Sequence, residues 1–201
     1  MKKYILGFLL FWTFSISLPA QTETASARST NPGKSAEGGA VKWMTFEQAV
    51  EKSKTEKRSI FIDVYTDWCG WCKVMDKNTF NDPIVAKLLN EKFYAVKFNA
   101  EQTEDVVFNG TTFKFVPYGN KGSHQLAMAL LNNQMSFPTV VFMDKDFKTA
   151  FPIAGYRKPE EFHKYLLFFS EDQSKNGQNA WAEFEKNYKS PYPQAATTTG
   201  N

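Results

Sequence analysis

Cysteine is scarce. The 201-residue chain holds two, Cys69 and Cys72, three positions apart. A structural disulfide framework needs more cysteines, spread so as to close long loops. This pair closes almost no loop, so a bond between them adds little through chain entropy and its value must be chemical. Histidine is equally scarce: His124 and His163 are the two, and neither has zinc-finger spacing. That counts against Cys69 and Cys72 as half of a structural zinc site. Charge of one sign is also lacking. Lys and Arg number 24 against 21 Asp and Glu, a formal charge of +3; removing Lys2 and Lys3 with a leader leaves 3 − 2 = +1. With no basic stripe, no nucleic-acid partner is expected. No apolar run reaches the ~20 residues of a spanning helix, and there is no internal repeat.

What is present begins with a leader. Lys2 and Lys3 form a basic start, residues 4–18 are apolar apart from Thr13, Ser15 and Ser17, and Pro19-Ala20 offers a cleavage point. This pattern predicts a signal peptide over 1–20 and export to the periplasm; a retained leader acting as a membrane anchor is the alternative. No cysteine follows the apolar run, so the usual lipoprotein attachment residue is missing. Residues 21–40, rich in Ser, Thr, Gly, Ala and Glu, read as a disordered linker. A folded domain is expected over 41–188 and a disordered tail over 189–201.

Within the domain, Thr45 and Gln48 have capping-box spacing ahead of a helix. Residues 59–65 (SIFIDVY) form a buried strand interrupted by one acid, Asp63. The cysteine motif opens a helix through Asp76. Asp82-Pro83 starts another helix, followed by a strand over 93–98. Residues 101–122 are dense in turn signals, with one short strand expected at 111–116. Ser123 is expected to cap a helix. Strands follow at 138–143 and 147–153, then helices from Pro159 and over 180–188. Strands alternating with helices, closed by a β-turn-β, predict an α/β fold with a central mixed sheet flanked by helices.

A Cys-x-x-Cys opening a helix after a buried strand suits redox exchange. Unpaired backbone N–H groups at the helix start favour a thiolate, and the thiolate is the nucleophile. Cys69 is expected to be the attacking, more exposed thiol, and Cys72 the buried thiol that resolves the mixed disulfide.

The run Asp67-Trp68-Cys69-Gly70-Trp71-Cys72-Lys73 resembles the active-site segment of the thioredoxin superfamily. It is especially similar to exported bacterial thioredoxin-like proteins carrying Trp-Cys-Gly-Trp-Cys-Lys. The resemblance covers 41–169 and implies a thioredoxin fold and thiol–disulfide oxidoreductase activity. The redox-active Cys69–Cys72 disulfide is the only redox group implied; no cofactor and no metal is expected. It implies that Asp63, six residues before Cys69, is a buried acid moving protons to and from the resolving thiol, with Lys97 as its partner. It implies a cis-proline segment at Phe137-Pro138-Thr139 and a substrate-approach glycine at Gly155, although Gly155 also reads as a plain turn glycine. Trp68, Trp71, Phe137, Pro138 and Gly155 are thus expected to line the substrate. The implied partners are protein disulfide or dithiol substrates and a membrane electron donor, in the service of cell redox homeostasis.

Two departures matter. Trp71 stands where thioredoxin has proline, and no histidine lies between the cysteines, so reduction is the expected direction. The 101–122 segment exceeds the compact core; Phe113, Phe115 and Tyr118 could shape a partner surface or pack as a hairpin. Two alternatives stay open: a disulfide oxidase or isomerase, and a non-enzymatic module holding copper or zinc on both thiols, with Met75 assisting.

Overall fold

A computed structural model describes residues 40–171 and 173–193. The leader at 1–20, the linker apart from Ala40, and tail residues 194–201 lie outside the described residues.

The capping box at Thr45 closes as its sequence predicts. Thr45 accepts from the Gln48 N–H at 3.2 Å, Gln48 Oε1 accepts from the Thr45 N–H at 3.0 Å, and α1 (Phe46–Thr55) follows. The strand β1 (Ser59–Tyr65) lies inside a four-stranded sheet. It pairs in parallel with β2 (Phe93–Asn99) and antiparallel with β7 (Thr139–Met143), which pairs antiparallel with β8 (Ala150–Ala154); the order is β2-β1-β7-β8. The outer side of β2 is covered where Met44 forms a parallel bridge to Val96. The sheet is therefore mixed and flanked by helices, the thioredoxin-type arrangement.

Strand alternation sorts the core onto two faces. Ile60, Ile62 and Val64 join Phe46, Val96, Phe98, Leu126 and Val141 on one face. Phe61 joins Met75, Phe80, Leu89, Phe142, Phe162 and Leu166 on the other. Asp63 shares its parity with Phe61, so its carboxylate is carried onto the second face, the one on which Met75 of α2 (Gly70–Met75) packs.

Several elements differ from the sequence expectation. The active-site helix does not stop at Asp76; it widens into a π-helical turn, Asp76–Phe80. That turn delivers Phe80 into the ring cluster with Trp43, Phe61 and Phe162, and Thr79 donates to the Arg157 carbonyl at 2.6 Å. Then Asp82 caps α3 (Pro83–Lys92). The single strand expected at 111–116 is instead parts of two hairpins, broken at Lys114. In the first, β3 (Val106–Phe108) pairs with β4 (Thr111–Phe113) across Asn109-Gly110, both at positive φ. In the second, β5 (Phe115–Tyr118) pairs with β6 (Lys121–His124). Phe113 packs against the first core face, while Tyr118 is exposed.

Ser123 lies within β6 and does not cap. His124 caps α4 (Gln125–Leu130), its Nδ1 accepting the Leu126 N–H at 3.2 Å; an imidazole acceptor does the work of a hydroxyl. The final strand starts at Ala150 rather than 147, because Asp144 gathers the N–H groups of Asp146, Lys148 and Thr149 into a turn. The helices α5 (Pro159–Ser170) and α6 (Ala180–Asn187) follow. Order continues past the expected boundary at 188: Tyr192 donates to Asp82 Oδ1 at 2.7 Å.

Candidate active site at the Cys69–Cys72 disulfide

Cys69 is the N-cap of α2, with extended backbone at φ −72° and ψ 101°. Its own N–H is held by the Thr66 carbonyl at 3.1 Å, and its Sγ accepts the Cys72 N–H at 3.1 Å. The two cysteines are joined as a disulfide, with Cα atoms 5.3 Å apart. A hydrogen bond from a helix-start N–H to a sulfur stabilises negative charge there, which lowers a thiol's pKa once the bond is reduced. The expected contrast in exposure is absent. Cys69 and Cys72 are both 3% exposed. Position in the helix, not accessibility, distinguishes them.

On β1, Asp63 is buried and pairs in register with Lys97 of β2. Lys97 Nζ lies 2.8 Å from Asp63 Oδ2 as an ion pair, and Oδ1 has no hydrogen-bond partner among the described residues. Burial pushes the Asp63 carboxyl up to about 6, against the opposing pull of Lys97. Lys97 also donates to Asp76. Burial pulls the Lys97 ammonium down, but the two carboxylates outweigh it and hold the group above its ordinary value. The rings of Tyr65, Trp43 and Phe80 surround the ammonium at 4.9, 5.2 and 5.8 Å. Charge thus runs from buried Asp63 through Lys97 to Asp76, which is partly open to solvent. Asp76 escapes sequence reasoning because it looks like any solvated helix acid. The available signal was its place one turn after Cys72 on the same helical face.

The Phe137–Pro138 peptide bond is cis. Pro138 is buried, and its carbonyl accepts the Gly155 N–H at 2.8 Å. Gly155 has φ +92°, a conformation that favours glycine. Trp68 meets Phe137 edge to face at 5.9 Å. Trp71 leans on Tyr156 at 5.5 Å, a neighbour the sequence did not single out. Ring contacts and one backbone hydrogen bond thus link Trp68 to Phe137 and Pro138 to Gly155, while Trp71 reaches Tyr156, the residue after Gly155.

The remaining ligand candidates are engaged elsewhere. His124 holds Leu126 and the Glu104 carbonyl, His163 meets the Tyr188 hydroxyl at 2.8 Å, and Met75 is buried in the core. Among the described residues, no three His, Cys, Asp or Glu side chains group so as to hold a metal ion.

Comparison with known proteins agrees with this architecture. The family described as "Thioredox_DsbH: Protein of unknown function, DUF255" matches residues 33–181. An uncharacterized protein of Caenorhabditis elegans, B0495.5, is 38% identical over 60 residues, 30% of this chain and 8% of that protein. The thiol:disulfide interchange protein DsbD of Pectobacterium atrosepticum is 26% identical over 161 residues, 79% of this chain and 23% of that protein. A thioredoxin from Thermus thermophilus superposes with a TM-score of 0.50 at 17% identity, over 70% of this chain and 95% of the other; at that identity the likeness is one of fold. The chain spans under a tenth of the length of the first curated relatives it matches, at 8% each.

Proposed function

The chain belongs to the Thioredox_DsbH family, and on that footing we propose that it exchanges dithiols and disulfides with exported proteins through Cys69 and Cys72, as a reductant. "Thiol:disulfide interchange" is what the DsbD relatives are named for. The observation that carries the proposal is the Cys69–Cys72 disulfide capping α2, with a buried acid, Asp63, on the sheet face against which α2 packs.

In the reduced protein, the Cys69 thiolate, steadied by the Cys72 N–H, attacks a substrate disulfide and forms a mixed disulfide. Asp63 takes the proton from the Cys72 thiol. Cys72 then attacks Cys69 Sγ, which releases the reduced substrate and leaves the Cys69–Cys72 disulfide. Lys97 keeps the Asp63 charge bearable in an apolar strand, and Asp76 gives the proton a way towards water. Trp68, Trp71, Phe137, Pro138 and Gly155 form the surface that receives the substrate segment. The redox centre is the cysteine pair itself, without a further cofactor. The oxidised form is recharged by a membrane electron donor, and the leader over 1–20 directs the chain to the periplasm. Among the described residues, no helix is long and apolar enough to cross a membrane. Reduction is the favoured direction because Trp71, not histidine, stands between the cysteines.

Equilibration with glutathione buffers tests this. A Cys69–Cys72 potential near thioredoxin's, about −270 mV, is expected; a value near about −120 mV would reverse the direction. Failure to form the disulfide would sink the exchange reading. In cells, Cys72→Ser should trap exported partners as mixed disulfides on Cys69, and the absence of trapped partners would count against protein substrates.

A further inference from the structure

The disulfide is oddly secluded for a reactive one. Its cysteines are 3% exposed each, yet the residues just before them, Trp68 and Trp71, are 66% and 61% exposed. Large rings left in water gain little from burial, and here each is nonetheless fixed. Trp68 Nε1 donates to Glu101 Oε1 at 3.0 Å, and its ring meets Phe137 edge to face. The Glu101 N–H donates to Asn99 Oδ1 at 2.9 Å, and Asn99 Nδ2 donates to Asp67 Oδ2 at 3.3 Å. The chain leaving β2 is thus laced to the residues that lead into Cys69. On the side of the loop after β8, the Trp71 ring rests on Tyr156.

We infer that Trp68 and Trp71 form an aromatic screen that slows attack by small thiols and reserves the disulfide for protein dithiols, with Glu101 and Tyr156 as positioning residues that hold the screen in place. The inference rests on the thiol–disulfide exchange reading of the same site. In each case the chemistry is the same. A donor thiolate attacks Cys69 Sγ, the S–S bond breaks, and Cys72 leaves as a thiolate and takes a proton. A second donor thiol then resolves the mixed disulfide, so that two electrons and two protons pass to the cysteine pair. The difference lies in access. A protein partner covers the exposed tryptophans as it docks and recovers the cost of moving them, since aromatic side chains are strong anchors when desolvated. A small thiol must part the rings with nothing in return. Selectivity then comes from a built-in obstacle rather than an added attraction.

The test is single-turnover reduction of the oxidised full chain, followed by stopped-flow fluorescence, with glutathione and with a reduced thioredoxin as donors. The potential of each variant is measured so that rates are compared at equal driving force. Trp71→Ala, Tyr156→Ala and Glu101→Ala should each speed reduction by glutathione by roughly 2- to 10-fold, the population shift one aromatic contact sustains, with no such gain for thioredoxin. Glu101→Gln keeps an acceptor for the indole and should behave as wild type. Equal acceleration by both donors, or none by glutathione, would overturn the screen while leaving exchange intact. If neither donor reduces the wild-type disulfide, the exchange reading itself fails, and the screen with it.

Discussion

At position 63 a carboxylate sits in a strand whose other central residues are Ile60, Phe61, Ile62 and Val64. Burial raises its pKa from 3.8 to about 6, so between those values the folded chain holds a proton that the unfolded chain has released. Stability therefore falls as pH rises through that window, by about 2–3 kcal/mol. Asp63→Asn removes the ionisation but keeps the shape, and Lys97 retains Asp76 as a partner. The variant should be more stable than wild type at pH 7 by about 2 kcal/mol, and the fall in stability that Asp63 contributes between pH 4 and 6 should be lost. Urea titrations at several pH values check this; an unchanged slope would place the titrating group elsewhere. The same variant should slow exchange at neutral pH by about 100-fold or more if Asp63 moves the proton of Cys72, and an equal rate would remove that role. Asp63 was legible because an acid interrupts an apolar strand there, whereas Lys97 was named only through the resemblance to the thioredoxin superfamily. Asp76 was not legible, since only the fold brings it to the same ammonium.

The second hairpin poses the question of specification at the level of an element. Its strands hold four residues each, too few for an alternation to show. The turn pairs were visible, but the break at Lys114 was not. It is made by a tertiary exchange in which the Lys114 N–H donates to Gln125 Oε1 and the Gln125 N–H to the Lys114 carbonyl, both at 2.8 Å. What fixes the hairpin is Gly122, across which the Phe115 ring lies: a Cβ there would come within 2.0 Å of that ring. Gly122→Ala must push the ring off. The expected result is a local loss of about 1–2 kcal/mol, read as roughly 10-fold faster amide exchange across β5 and β6 with a nearly unchanged global melting temperature. Uniform acceleration over the whole sheet would mean instead that this hairpin is part of the main cooperative unit.

Across the whole molecule, strands alternating with helices and a closing β-turn-β foretold the mixed sheet flanked by helices. They did not foretell the C-terminal end. Residues from 189 onward have the composition of a solvated tail, and nothing local marks Tyr192 as structural. Its anchor lies 110 positions earlier, where Asp82 accepts both its hydroxyl at 2.7 Å and the N–H groups of Ile84 and Val85 at 3.0 Å each. His163 of α5 meets the Tyr192 ring at 6.0 Å and the Tyr188 hydroxyl at 2.8 Å. The end of the chain thus ties the start of α3 to the middle of α5, both of which back the active-site face. A hydrogen bond to a charged group contributes about 1.5–3 kcal/mol. Tyr192→Phe, which keeps the ring, should lose about 1–2 kcal/mol in urea unfolding, the lower end because the site is only partly buried. Asp82→Ala should lose more, since it also removes a helix cap worth about 1 kcal/mol. The double variant should fall short of the sum by about 1 kcal/mol, because both single changes break the same bond. Strict additivity would mean that the chain beyond 188 lies on the domain without holding it.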